Sequence, residues 1–223
     1  MKGLTLEQVL DMGDTHAASS NVTPLRADAF QLNDAEKIEL IERNFREIML
    51  TLGLDLNDDS LSGTPKRVAK MFVEEIFSGL NPANEPRVAL FENKYQYGQM
   101  LVEKNISVYS MCEHHFLPIV GKAHVAYISN GKVIGLSKLN RIVRHFSRRP
   151  QVQERLTMEI VNHLCRVLET EDVALIIDAK HFCVSMRGVE DTESSTLTCE
   201  FRGKFKEEGA RRELLSYLNL ELK

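Results

Sequence analysis

Cys112-Glu113-His114-His115 and, far downstream, His181-Phe182-Cys183 are the residues of this chain best equipped to do chemistry. Thiolate and imidazole are the donor types that hold a zinc ion, and Cys112, His115 and Cys183 are the expected set. Three protein ligands leave one tetrahedral position for water, as in catalytic zinc sites, whereas structural sites are closed by four. His114 and His181 then stand beside the metal as proton carriers, and the chemistry expected is metal-assisted hydrolysis. Two other readings fit the same residues. One is a closed structural site with His114 or His181 as fourth ligand. The other is buried free cysteines with satisfied histidines and no metal.

Strands can deliver these groups. Val102, Ile106, Val108, Ser110 and Cys112 alternate with polar residues, which predicts a half-buried strand ending at Cys112. The three-residue step to His115 requires a turn there. In His181-Phe182-Cys183 the two donors are two apart, so on a strand they share one face. Two thiols that share an ion also lie close enough to oxidise together when the metal is absent.

A second cluster is basic. Between Ser137 and Arg155 lie Lys138, Arg141, Arg144, Arg148, Arg149 and Arg155 against the single acid Glu154, in a chain of net charge −4. Leu139, Ile142, Val143 and Phe146 follow helical spacing, so the basic residues project from the opposite face. Ser137 is the expected N-cap and Pro150 the end. Ser137, Lys138 and Arg141 thus gather at a helix N-terminus, which favours phosphate. A solvated basic face is the plainer reading. Nucleic acid is poorly supported, because no aromatic stacking residues lie nearby.

Composition bounds the rest. The 223 residues suffice for one domain with a short extra segment. No apolar run approaches the roughly 20 residues that cross a bilayer, and the first thirty residues lack a secretory pattern. Four cysteines, two of them in the site, argue for a reducing compartment, so the cytoplasm is expected. Residues 1–33 read as a loosely attached arm with a short helix near Leu4–Asp11, and 34–223 as the catalytic domain. Ile38, Ile41, Phe45, Ile48 and Leu52 predict a helix closed by Gly53, and Thr64-Pro65 caps and opens another that Gly79 ends. Strands are expected near 100–112, 119–128, 172–187 and 195–205. A long helix follows Pro150, and a short one closes the chain. The class is α+β with an antiparallel sheet. His16, His124 and His163 match no site pattern, His145 adds charge to the basic helix, Cys165 reads as core, and Cys199 falls in a Ser/Thr-rich strand.

Ser-x-Cys-Glu-His-His-Phe at 110–116, Gly-Leu-Ser-Lys-Leu-Asn-Arg at 135–141, Arg-Pro-Gln-Val-Gln-Glu-Arg-Leu-Thr at 149–157 and His-Phe-Cys-Val-Ser-Met-Arg-Gly at 181–188 together resemble GTP cyclohydrolase I. So does the stretch from Asp58 through Thr64-Pro65-x-Arg67 to Gly79-Leu80. The resemblance spans roughly 34–220 and leaves the arm uncovered. It implies a tunnelling fold, or T-fold: a four-stranded antiparallel sheet with two helices on one face, preceded by helices. It further implies a homodecamer of two face-to-face pentamers, with active sites between subunits.

The implied reaction opens the imidazole ring of GTP at C8, releases formate and closes a pterin ring, giving 7,8-dihydroneopterin triphosphate for folate or tetrahydrobiopterin synthesis. Zinc on Cys112, His115 and Cys183 would activate water, and His181 would protonate N7. His114 is a second acid or base, and Ser137 resembles the serine that assists the ribose steps. Glu154, with Gln153 beside it, stands at the purine position, where a carboxylate pairs with the N1–H and N2–H donors of guanine. Arg67, Lys138, Arg141 and Arg187 resemble triphosphate ligands. Glu113 either orients a histidine or meets the base. The rival classes are a nitrile reductase of the same architecture, which needs no such metal set, and a non-catalytic protein that binds zinc or nucleotide.

Overall fold

The structure, a computed structural model, describes residues 20–219. The helix expected at Leu4–Asp11 lies outside the described residues. Helix α1 (Asp34–Thr51) opens on a capping box: the Asn33 side chain accepts from the Glu36 N–H, and the Glu36 carboxylate accepts from the Asn33 N–H. Gly53, at φ 82°, supplies the left-handed residue beyond it. One turn, α2 (Asp59–Ser62), is capped by Asp58. In α3 (Thr64–Lys70) the cap position belongs to Gly63, so Thr64 is the first helical residue and not the cap expected of it. The helix then widens into a π turn at Met71–Ile76 and ends in a 3₁₀ turn at Ser78–Leu80.

Gly79 is where this helical layer docks. Its N–H donates to Arg148 O at 2.9 Å and its carbonyl accepts from Arg149 Nε at 2.8 Å. A Cβ there would stand 2.0 Å from His145 O, a backbone atom that cannot step aside. Gly79→Ala is therefore expected to cost about 1–3 kcal/mol by forcing the layers apart. A lowered urea midpoint at unchanged m-value would show it.

Two sheets form. Strands β1 (Leu90–Glu92) and β4 (Lys132–Ile134) pair with each other. The main sheet runs β5-β2-β3-β6-β7, made of β5 (Pro150–Gln151), β2 (Met100–Cys112), β3 (Pro118–Ile128), β6 (Val173–His181) and β7 (Thr196–Phe201). The four long strands are antiparallel. To the four expected, the chain adds two-residue β5, parallel to β2 through Cys112↔Gln151. No apolar alternation can announce so short a strand.

Helices α4 (Leu136–Ser147) and α5 (Gln153–Leu168) cover one face, with Leu139, Ile142, Val143, Phe146, Leu156, Ile160 and Leu164 buried. The other face receives α7 (Glu208–Asn219), whose Leu214 packs with Met100, Ala126, Ala174 and Phe205. Strand β2 does not keep one alternation throughout. A bulge between Glu103 and Ile106, with Asn105 at φ 61°, shifts the register. Val102 consequently packs on the α7 side while Ile106, Val108 and Cys112 face α4 and α5, which corrects the single apolar face read across 102–112. Beyond His181 the chain turns into the single helical turn α6 (Phe182–Ser185), so His181 and Cys183 are not strand neighbours on one face as expected.

Candidate active site

The end of β2, the start of β3, the end of β6 and the start of α5 meet at one end of the main sheet, through the pairings Met111↔Pro118, Ile119↔His181 and Cys112↔Gln151. The β2–β3 turn folds tightly: Phe116 N–H donates to Cys112 O at 2.8 Å, and Phe116 takes φ 52°. That turn carries Cys112 and His115 to one point. One ligand atom from each of Cys112, His115 and Cys183 lies within 4.8 Å of the other two, and His114 and His181 fall outside this group. The Cys112 Sγ to His115 Nδ1 distance is 3.9 Å. Ligands at tetrahedral angles around zinc, with Zn–S of about 2.3 Å and Zn–N of about 2.0 Å, stand about 3.6 Å apart, so the donor set fits such an ion. Burial pushes the Cys183 thiol up, and nearby Cys112 adds to it. Two thiols crowded in this way favour a cation between them over either bare thiolate.

Arg187 Nη1 lies 2.7 Å from His115 Nε2. A guanidinium only donates, so Nε2 accepts and the ring proton sits on Nδ1. An ion taken up at Nδ1 would move that proton to Nε2 and turn the ring from acceptor to donor, which frees Arg187.

His181 Nε2 lies 2.7 Å from Gln153 Oε1, and burial holds the imidazole below its ordinary pKa, opposed by the nearby Glu154 carboxylate. Glu154, in the first turn of α5, is exposed. Gln153 is buried, and its amide is taken up within the protein. His114 Nδ1 lies 3.8 Å from Cys112 Sγ.

Glu113, ranked low on sequence, is held hard. Arg155, its side chain 3% exposed, binds both Glu113 oxygens. Arg155 Nε also donates to Ser20 O at 2.7 Å. Within the stretch expected as a loose arm, Ser20 thus rests on α5, and so does Thr23, whose N–H lies 3.4 Å from Glu159 Oε1. A lone arginine on a helix gives no sequence sign of such a pair. Removing residues 1–25 should loosen Glu113 beside the donor cluster and lower kcat by about tenfold, measured against a 1–19 deletion.

The basic cluster is elsewhere. Ser137 is the second residue of α4 and exposed, and Gly135 holds the cap position, which corrects Ser137 as N-cap. Asn140, one turn on, donates to Glu103 Oε1 at 3.2 Å. Glu103 and Cys112 are nine strand positions apart, roughly 30 Å at about 3.3 Å per residue. One chain therefore keeps the start of α4, with Ser137 and Lys138, toward the opposite end of the sheet from Cys112, and Arg141 a turn further along the helix. Arg67 is exposed and donates to Ser60 O and Thr64 Oγ1. His145 does not add to the basic face. It is buried, accepts from Arg149 Nη2 at 2.9 Å and is neutral, its pKa pressed down to about 4, chiefly by burial and then by Arg149. Cys165 is core, His124 accepts from the Asn105 N–H at the bulge, and Cys199 is exposed. Among the described residues no helix is long and apolar enough to cross a membrane.

An antiparallel α+β domain with a Cys–His–Cys donor group and a histidine beside it at one sheet end is the framework of a hydrolytic enzyme. The description of the family GTP cyclohydrolase I matches residues 41–219. A GTP cyclohydrolase 1 of Flavobacterium johnsoniae is 62% identical over 216 residues, covering 96% of this chain and 97% of that protein. One from Aeromonas salmonicida is 57% identical over 184 residues, 82% of this chain and 84% of its own length. One from Vibrio cholerae is 55% identical over 178 residues, 80% and 82%. The chain belongs to the GTP cyclohydrolase I family, and it is a hydrolase.

Proposed function

We propose that the protein is a zinc-dependent GTP cyclohydrolase I of T-fold architecture, converting GTP and water to formate and 7,8-dihydroneopterin triphosphate for folate or tetrahydrobiopterin synthesis. The observation that carries this is the gathering of Cys112, His115 and Cys183 beside His181 and Glu154 at one end of the sheet. Cys112, His115 and Cys183 would hold the zinc, which would supply Lewis acidity toward water near neutral pH. His181 delivers a proton to N7 and makes C8 electrophilic, and His114 is a second proton carrier as the ring opens. Glu154, exposed at the start of α5, accepts from N1–H and N2–H of guanine and so rejects adenine. Arg187, once released from His115, pairs with the triphosphate together with Arg67, Lys138 and Arg141. Ser137 assists the ribose rearrangement.

Because the start of α4, with Ser137 and Lys138, lies toward the opposite end of the sheet from the cysteines within one chain, a complete site takes its two halves from different copies. That supports a closed homo-oligomer, in our reading a decamer of two pentamers. Mixing Ser137→Ala with His181→Ala subunits, dissociated and reassembled together, should then restore part of the activity that each variant lacks. No recovery in verified mixed oligomers would place the site within one chain.

Formate release and oxidised-pterin fluorescence after incubation of the zinc-loaded protein with GTP test the whole reading. Both signals are expected. Formate alone would confine the activity to ring opening and remove the role given to Ser137, and neither signal despite bound zinc and GTP would overturn the assignment.

A further inference from the structure

Gln153 stands beside the guanine-binding acid of the proposed function, yet both edges of its own amide are already engaged within the protein. Nε2 lies 3.1 Å from Ile177 O, 2.8 Å from Thr196 O and 3.1 Å from Thr198 Oγ1. Two of these are backbone carbonyls, which only accept, so the edge that meets them must be the NH₂. The other edge, Oε1, is then forced onto His181 Nε2 at 2.7 Å. Oε1 only accepts, so the proton between them belongs to His181.

The threonines complete a one-way chain. Thr157 Oγ1 donates to Gln153 O at 2.9 Å, having spent its single proton there. The 2.7 Å contact between Thr157 Oγ1 and Thr198 Oγ1 therefore takes its proton from Thr198. Thr198 Oγ1 is left with lone pairs directed to the Gln153 amide. Every donor in this partly buried set has its acceptor, the condition under which a polar network fixes one arrangement. The Ser/Thr-rich strand β7 thereby acquires a purpose: it seats the glutamine.

We propose that Gln153 is a positioning residue, seated by the carbonyls of Ile177 and Thr196, which holds His181 as the Nε2–H tautomer and leaves Nδ1 as the nitrogen through which a proton reaches the substrate. A histidine works only through the nitrogen that its other hydrogen bond leaves available. This inference rests on the proposed role of His181, but its central claim is about a proton position and can be read without turnover.

Magic-angle-spinning NMR of zinc-loaded, ¹⁵N-histidine-labelled protein, with the His181 signals identified by their loss in His181→Ala, reads that position. Wild-type neutral His181 is expected to show a protonated Nε2 and a bare Nδ1. Gln153→Met, which keeps the length but loses the acceptor for Nε2–H, should mix the tautomers. It should lower kcat for GTP about ten- to a hundredfold with KM changed by less than about twofold. Thr198→Val, which leaves the amide its two carbonyl acceptors, should keep the wild-type tautomer. If Gln153→Met does not fold, the tautomer of the wild-type protein still decides. A wild-type ring protonated at Nδ1, or a Gln153→Met enzyme with raised KM and unchanged kcat, would overturn the proposal. A wild-type protein that shows the Nε2–H tautomer but releases no formate would instead sink the function assigned above and leave this inference standing.

Discussion

Cys183→Ser is expected to reduce formate release about a thousandfold, some 4 kcal/mol of transition-state stabilisation, with loss of bound metal and a melting temperature close to that of metal-free wild-type protein. Cysteine 183 is the informative position because of where it sits. It lies on the single turn α6 and is only partly buried, whereas Cys112 is 5% exposed within the main core. A change at Cys112 would mix packing loss with ligand loss. At 183 the swap of sulfur for oxygen preserves volume and removes a thiolate, and a serine hydroxyl at neutral pH offers no comparable anion. His115 and Cys112 would remain within 3.9 Å of each other, too few ligands to retain the ion. Metal content per chain, formate release and thermal unfolding should be measured on one preparation. Full activity in a metal-free Cys183→Ser protein would remove the donor group from the mechanism.

Sequence and structure agree best where a side chain acts through its type and an element through its period. The apolar spacing of Leu139, Ile142, Val143 and Phe146 specified α4, and the donor chemistry of Cys112, His115 and Cys183 specified a group that the fold does assemble. Register and turns were harder to see. Nothing in Glu103-Lys104-Asn105 announces a bulge, yet one extra residue there sends Val102 to the α7 side. The His181-to-Cys183 spacing suits a strand or a helical turn, and only tertiary packing chooses between them. Hydrogen-bond direction was least legible of all. That Gln153 has spent both edges of its amide, or that Arg155 ties Glu113 to Ser20, depends on contacts between residues far apart in the chain. The separation of Ser137 from Cys112 follows from strand length, which the sequence contains, and from the direction of α4, which it does not.

Acid should weaken this fold before its carboxylates titrate. His145 is packed beneath the helical layer, its Nε2 accepting from Arg149, with Glu85 and His163 also facing it. A second proton would set donor against donor and place two cations side by side, in keeping with a folded pKa near 4. The unfolded chain returns this histidine to its ordinary value of about 6.5. Between those values the unfolded state binds the extra proton and the folded state does not, so stability rises with pH across that window and falls as pH drops. The 2.5-unit difference amounts to about 3 kcal/mol lost between pH 7 and pH 4. Burial lowers His163 and His124 as well, which adds in the same direction. Asp28, Asp58 and Asp191 are held below their ordinary value of 3.8, so their contribution is lost at lower pH and leaves this window to the histidines. His145→Gln can still accept from Arg149 but has no proton to gain. Urea unfolding at fixed protein concentration and metal load, from pH 7 to pH 4, should show a shallower decline in that variant by about 3 kcal/mol. Parallel curves for the two proteins would mean that His145 takes its proton in the folded state, and that the Arg149 contact yields to admit it.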